Sequence, residues 1–181
     1  VRLFTYKSIT WEQFKNRYLW REDGYLYEWV NGCVEKTKRT INYSQIFISE
    51  NLVKFFFELY NSGKVQGYLT NEVDTFFLQN LRRPNLYYLT SQQIQDGKNG
   101  IPPVPKFVIE IISNDDKAKR VQEKVGDYLR ADVKVIWQIY PDLQVIHVYN
   151  GKKMTLLMDD DLCSAAPVLP EFVISVNDIF K

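Results

Sequence analysis

Apolar residues along this chain follow two rhythms, and the switch between them marks its elements. From Pro105 to Tyr140 the order is strand, helix, strand. Phe107-Val108-Ile109 is a short apolar run interrupted by one carboxylate, Glu110. Ile111-Ile112 continue the run, and Ser113-Asn114-Asp115-Asp116 end it. Such a run, bounded by turn residues, predicts a buried strand. Val121, Val125, Tyr128 and Leu129 then recur at helical spacing, beside Lys117, Lys119, Arg120 and Lys124. Val133 to Ile139 predicts a second strand. Strand, crossover helix and strand make a parallel pair. Open α/β sheets place ligands outside their strand ends, and Glu110 lies near such an end. A carboxylate buried there is costly unless a cation meets it.

The rest of the chain predicts strands and helices around this unit. Thr10 with Gln13 fits a capping box, opening a helix that runs to about Leu19. Tyr25–Val30 and Cys33–Lys36 flank Asn31-Gly32, the strongest short-range hairpin signal. Alternation puts Leu26, Glu28 and Val30 on one face. Asn42 is the expected cap of a long helix, Tyr43 to Tyr60, stopped by Asn61-Ser62-Gly63. Lys64 to Thr70, Val73 to Leu78 and Asn85 to Leu89 predict strands, with Gln79 to Pro84 a polar connection carrying Arg82-Arg83. Ser91 to Pro105 is expected as a loop, and a loop of that length is often functional. Leu143 to Tyr149 and Lys153 to Leu157 form a meander around Asn150-Gly151. Asp159-Asp160-Asp161 is a solvated turn, with too few ligands at set spacing for calcium. The tail predicts an extended segment, Val168 to Val176, and a helical turn, Asn177 to Phe180. No repeat or linker interrupts the chain, so residues 1–181 are expected to form one α/β domain with a central mixed sheet flanked by helices.

Composition narrows the chemistry only a little. A length of 181 residues supports a real core, and the net charge of +1 announces no polyanion partner, although clustering matters more than the sum. Aromatic residues make up 15% of the chain, enough for core and subunit contacts, so a homodimer is expected. Cys33 and Cys163 lack metal-type spacing, and with His147 the single histidine, a histidine-based zinc site is not expected. His147, between Ile146 and Val148 on a strand, faces away from both and receives no catalytic role. No secretory leader or membrane-length apolar run is visible, so the expected location is cytoplasmic with no membrane contact.

From the residues alone, Glu110 is either a site carboxylate or a strand-end anion salt-bridged to a lysine such as Lys124. Lys124 is either a site ammonium or a surface charge paired with Asp127 or Asp116. Glu28 borders a cleft or sits on an edge strand. Asn85 fits a strand start after proline, and Ser113 is the expected cap of the following helix.

In order along the chain, several segments carry a resemblance. They are Tyr27-Glu28-Trp29-Val30-Asn31-Gly32, Arg83-Pro84-Asn85, Phe107 to Ser113, Glu123 to Trp137 and Leu169-Pro170-Glu171-Phe172. Each motif alone is weak, but the ordered set resembles the Uma-type family of restriction endonucleases, within the PD-(D/E)XK nuclease superfamily. The resemblance implies a restriction-endonuclease-like core and Mg²⁺-dependent (or Mn²⁺-dependent) hydrolysis of DNA. It puts Asn85 at the first aspartate position, Glu110 at the second carboxylate, Lys124 in place of the superfamily lysine, and Glu28 as an additional acid. Glu110, Asn85 and Glu28 would hold the metal, and Arg82 and Arg83 would contact phosphates.

Three residues depart from the pattern. Asn85 replaces aspartate and removes a full charge from a Mg²⁺ site that rests on one or two carboxylates. Gln45 lies near the place of a helical histidine. Asp132 replaces a glycine before Val133, which implies a changed turn. Two expectations follow: an endonuclease impaired at its metal, or a non-catalytic nucleic-acid-binding or assembly module on the same scaffold. A purely structural, oligomer-forming module is the third.

Overall fold

The computed structural model describes residues 8–38, 43–71, 74–114 and 116–181. The Thr10–Gln13 capping box forms as expected and starts α1 (Trp11–Phe14), which continues as a π-helical turn, Lys15–Leu19. The hairpin of β1 (Tyr25–Val30) and β2 (Cys33–Lys38) turns at Asn31-Gly32, both at positive φ. The long helix α2 spans Tyr43–Asn61, and the expected cap at Asn42 lies outside the described residues. Then come β3 (Tyr68–Asn71), β4 (Thr75–Phe77), β5 (Asn80–Arg82), β6 (Leu86–Leu89), α3 (Ser91–Lys98), β7 (Phe107–Ile111) and α4 (Ala118–Arg130). The chain ends with β8 (Val135–Tyr140), β9 (Val145–Asn150), β10 (Lys153–Met158), β11 (Leu162–Ala165), β12 (Leu169–Ser175) and α5 (Val176–Phe180).

A six-stranded mixed sheet, in the order β10-β9-β8-β7-β6-β3, forms the centre, and β7–β8 is its parallel pair. α4 is the crossover between them, as the apolar rhythm predicts. A four-stranded antiparallel sheet, β2-β1-β5-β4, lies apart from it, and β11–β12 forms a separate ribbon. Alternation in the central strands feeds two cores. Ile109, Ile111, Trp137 and Ile139 pack with Leu52 and Phe56 of α2 and Phe172 of β12. Val108 and Ile136 point the other way, to Val125 and Tyr128 of α4 and Phe77 of β4. Glu110 and Gln138 share parity with this second set, so both lie on the α4 face. A third cluster, Phe14, Tyr27 and Leu81, joins α1 to the smaller sheet.

Four expectations change. Gln79 to Pro84 is not a polar connection: Asn80–Arg82 is a buried strand, because its polar side chains find partners inside. Ser91 to Pro105 is not all loop, since α3 fills its first half, opened by a Thr90–Gln93 capping box. No residue of α3 is buried, so the apolar rhythm that reveals other helices is absent. The Lys64 to Thr70 strand shortens to Tyr68–Asn71, behind Gly67 at φ +84. Ser113 does not cap α4; its hydroxyl and N–H both donate to Asp116, each at 2.8 Å.

Gly67 is required sterically. A Cβ there would strike the Leu89 carbonyl and the Tyr88 hydroxyl, in a conformation that L side chains rarely adopt. Gly67→Ala is therefore expected to cost about 2–4 kcal/mol. In urea denaturation the midpoint should fall with an unchanged slope.

Candidate functional site

Parallel pairing sets Glu110 of β7 beside Gln138 of β8 near the strand ends. α4 crosses this face, burying Val121, Val125 and Tyr128, and the same periodicity presents Lys124 to the sheet. The Lys124 ammonium donates to both oxygens of Glu110, at 3.2 Å each. The Tyr128 hydroxyl, one helical turn on, donates to Glu110 Oε1. From the smaller sheet, Glu28 brings its Oε1 to 3.6 Å from the same ammonium. Lys124 thus lies between two carboxylates from two different sheets.

A second cation holds the smaller sheet in place. Glu28 and Glu35 stand directly opposite on β1 and β2, an arrangement of like charges that is unfavourable alone. Arg82 of β5 resolves it, donating from Nη1 to Glu28 at 3.2 Å and to Glu35 at 2.9 Å. Its Nε and Nη2 donate to Asp127 Oδ2 at 2.9 and 2.7 Å, and Asn80 Nδ2 donates to Asp127 Oδ1 at 3.0 Å. Asp127 lies three residues after Lys124, so the Arg82 fork ties β5 and the hairpin to the helix that carries Lys124.

Burial and charge act differently on each group. Burial pushes Glu28 up, but Lys124 and Arg82, with the Arg83 N–H at 2.8 Å, hold it below the ordinary glutamate range. Burial pushes Glu110 up and prevails over the pull of Lys124 and Tyr128, while the Glu28 charge adds to the rise. For Lys124, burial lowers the pKa, but Glu110 and Glu28 raise it well above the usual lysine value. Lys124 therefore remains an ammonium: it can stabilise negative charge but cannot serve as a general base. Tyr128 is pushed well up by burial and by both glutamates, so it remains a donor.

A cleft of about 280 Å³ opens here, and Glu28, Asn85, Glu110 and Lys124 all line it. All four residues that the family resemblance places at the site therefore come together. Asn85 Oδ1 accepts the Ile111 N–H at 2.8 Å. An aspartate could make that bond and still turn a second anionic oxygen to the cleft; asparagine offers only the remaining lone pair of one neutral oxygen and its amide nitrogen. The carboxylates of Glu110 and Glu28 already accept from Lys124, Tyr128, Arg82 and the Arg83 N–H. Among the described residues, no group of three or more His, Cys, Asp or Glu side chains is arranged to hold a metal.

The two arginines expected to contact phosphates are placed differently from each other. Arg82 is 0% exposed and enclosed by three carboxylates, so it has no surface to offer a nucleic acid. Arg83 lines the cleft, but its guanidinium pairs with Asp74. The alternative pairing of Lys124 with Asp127 or Asp116 is replaced by the two glutamates.

Sequence reasoning gave no site role to Tyr128, Asp127 or Gln138. Lys124 and Tyr128 at i and i+4 share a helix face, a signal that was available. Asp127 and Gln138 had none, since only tertiary pairing reveals them. Gln138 is fully buried on the cleft wall; its Oε1 accepts from the Tyr140 hydroxyl at 3.2 Å, and its Nε2 has no partner. Gln45 also reaches the cleft, donating to the Ile111 carbonyl at 2.8 Å.

The mixed sheet thus presents a carboxylate and an ammonium at the end of its parallel pair. The family model described as "Putative restriction endonuclease" (Uma2) matches residues 11–177, and the chain belongs to that family. Among solved structures, one titled "a putative nuclease belonging to DUF820", from Anabaena variabilis, superposes with a TM-score of 0.73. It is 19% identical, and the match covers 85% of this chain and 89% of that one, which shows the shared fold. A search of curated proteins returned no match.

The opposite pKa directions separate the two glutamates. Glu28, with its folded pKa lowered, contributes stability above the ordinary value of 4.5 that is lost as pH falls below it. Glu110, with its folded pKa raised, contributes stability below that value that is lost above it, as pH rises through the raised folded pKa. At pH 7, Glu28→Gln should cost about 3 kcal/mol, and Glu110→Gln should cost less, because burial already favours the neutral form of Glu110. The Glu28→Gln deficit should shrink in denaturation curves taken at acid pH. Equal losses for the two variants would contradict this assignment.

Proposed function

We propose that this protein is directed to nucleic acid, on a restriction-endonuclease scaffold whose Mg²⁺-assisted phosphodiester hydrolysis is impaired by Asn85. The observation that carries the reading is the use of each oxygen. Asn85 spends its one oxygen on a backbone N–H, and Lys124 lies between Glu110 and Glu28. Mg²⁺ demands near-ideal geometry from hard oxygens and parts with its water reluctantly, so the loss of one carboxylate weighs heavily. Family membership supports a nucleic-acid substrate class, and the cleft retains an ammonium suited to a phosphate oxygen.

Calorimetry with Mg²⁺ and Mn²⁺, paired with cleavage of supercoiled plasmid, tests this reading. The native protein should show no saturable uptake of either ion and no cleavage. Asn85→Asp should gain both, and Glu110→Ala in that background should remove both. Native cleavage that depends on metal and on Glu110 would show an intact nuclease and overturn the impairment.

A further inference from the structure

With Arg82 enclosed, the cleft keeps only Arg83, itself paired to Asp74, of the two arginines expected to contact phosphates. A second groove supplies further cations. It has a volume of about 880 Å³ and shares Lys38 and Arg120 with the Glu110 cleft, so the two are continuous. Arg21, Lys36, Lys38, Lys117 and Arg120 line it, against the single carboxylate of Asp116. That carboxylate is bonded back to Ser113. Arg21 pairs with Asp23 at 2.6 Å, and Arg120 reaches Glu35 at 4.0 Å. No carboxylate among the described residues pairs with Lys36, Lys38 or Lys117, and all three are exposed.

Local structure holds these cations in place. The Lys36 ammonium lies 4.5 Å from the centre of the Tyr25 ring, and Arg21 lies over both Tyr18 and Tyr27. Lys117 is the N-cap residue of α4, whose first turn holds no acidic residue, so the positive end of the helix dipole adds to the field. A net charge of +1 for the chain conceals this concentration.

We propose that this groove carries the sugar–phosphate backbone of a nucleic acid to the Glu110 cleft, with Lys36, Lys38 and Lys117 as its phosphate contacts. The inference rests on the reading of the protein as directed to nucleic acid and supplies the surface that the enclosed Arg82 does not. A neutral or apolar partner would leave three ammonium groups without counter-charge, whereas a regular array of phosphates matches them.

The test is the salt dependence of binding to a fluorescent DNA duplex of about 20 base pairs, for the native protein and for Lys36→Ala/Lys38→Ala/Lys117→Ala. Each phosphate neutralised contributes about −0.9 to the slope of log K against log salt, so the triple variant should be shallower by roughly 2 to 3. Its melting temperature should stay within about 2 °C of native, because the three side chains are solvent-exposed. An unchanged slope would overturn this surface while leaving the proposed function standing. A native protein with no salt-dependent DNA binding would overturn both, and needs no variant to be recognised. Poly-glutamate competing as well as DNA at equal charge would also overturn it, by making the occupant an acidic polypeptide.

Discussion

The ammonium of Lys124 is the point at which the two sheets of this protein are held in register. It takes Glu110 from the central sheet and Glu28 from the smaller one, and it is the cation that meets the buried Glu110 carboxylate. Arg82 repeats the device one layer away, where Glu28, Glu35 and Asp127 would otherwise repel. Because Lys124 and Asp127 lie on the same helix, any shift of α4 would strain both cages together. The position of the crossover helix is therefore set by charge as much as by the apolar contacts of Val125 and Tyr128.

An internally neutralised site of this kind stabilises the scaffold through its own side chains. In a metal-bound nuclease site the divalent cation offsets the clustered acids. Here side-chain cations do so, and Asn85 removes one acid that would need offsetting. The fold and the hydrolytic chemistry are thus separable. The cation cage stabilises the arrangement of strands and helix, while the hydrolysis proposed to be impaired would turn on position 85, whose amide oxygen accepts the Ile111 N–H.

Much of the fold was legible from local signals. The β7–α4–β8 unit followed from a change of hydrophobic period, and the β1–β2 hairpin from Asn31-Gly32. Where local signals were silent the reading failed, as at α3, which buries nothing, and at β5, whose Asn80 and Arg82 look solvated in sequence. The gathering of Glu28, Asn85, Glu110 and Lys124 was legible only through the family resemblance, because no spacing rule connects residues on separate sheets. The enclosure of Arg82 was not legible, since its three carboxylates come from β1, β2 and α4. Asp132 was expected to change its turn, yet at φ +64 it holds the left-handed conformation that glycine favours.

The central claim, that Lys124 rather than a divalent ion sits between the two glutamates, can be tested by NMR. The Lys124 ammonium resonance would be followed while Mn²⁺ is titrated into the native protein. The account holds that this resonance stays sharp and retains its couplings to Glu110 and Glu28 at every Mn²⁺ concentration. Saturable paramagnetic broadening centred on Glu110, with loss of those couplings, would contradict it.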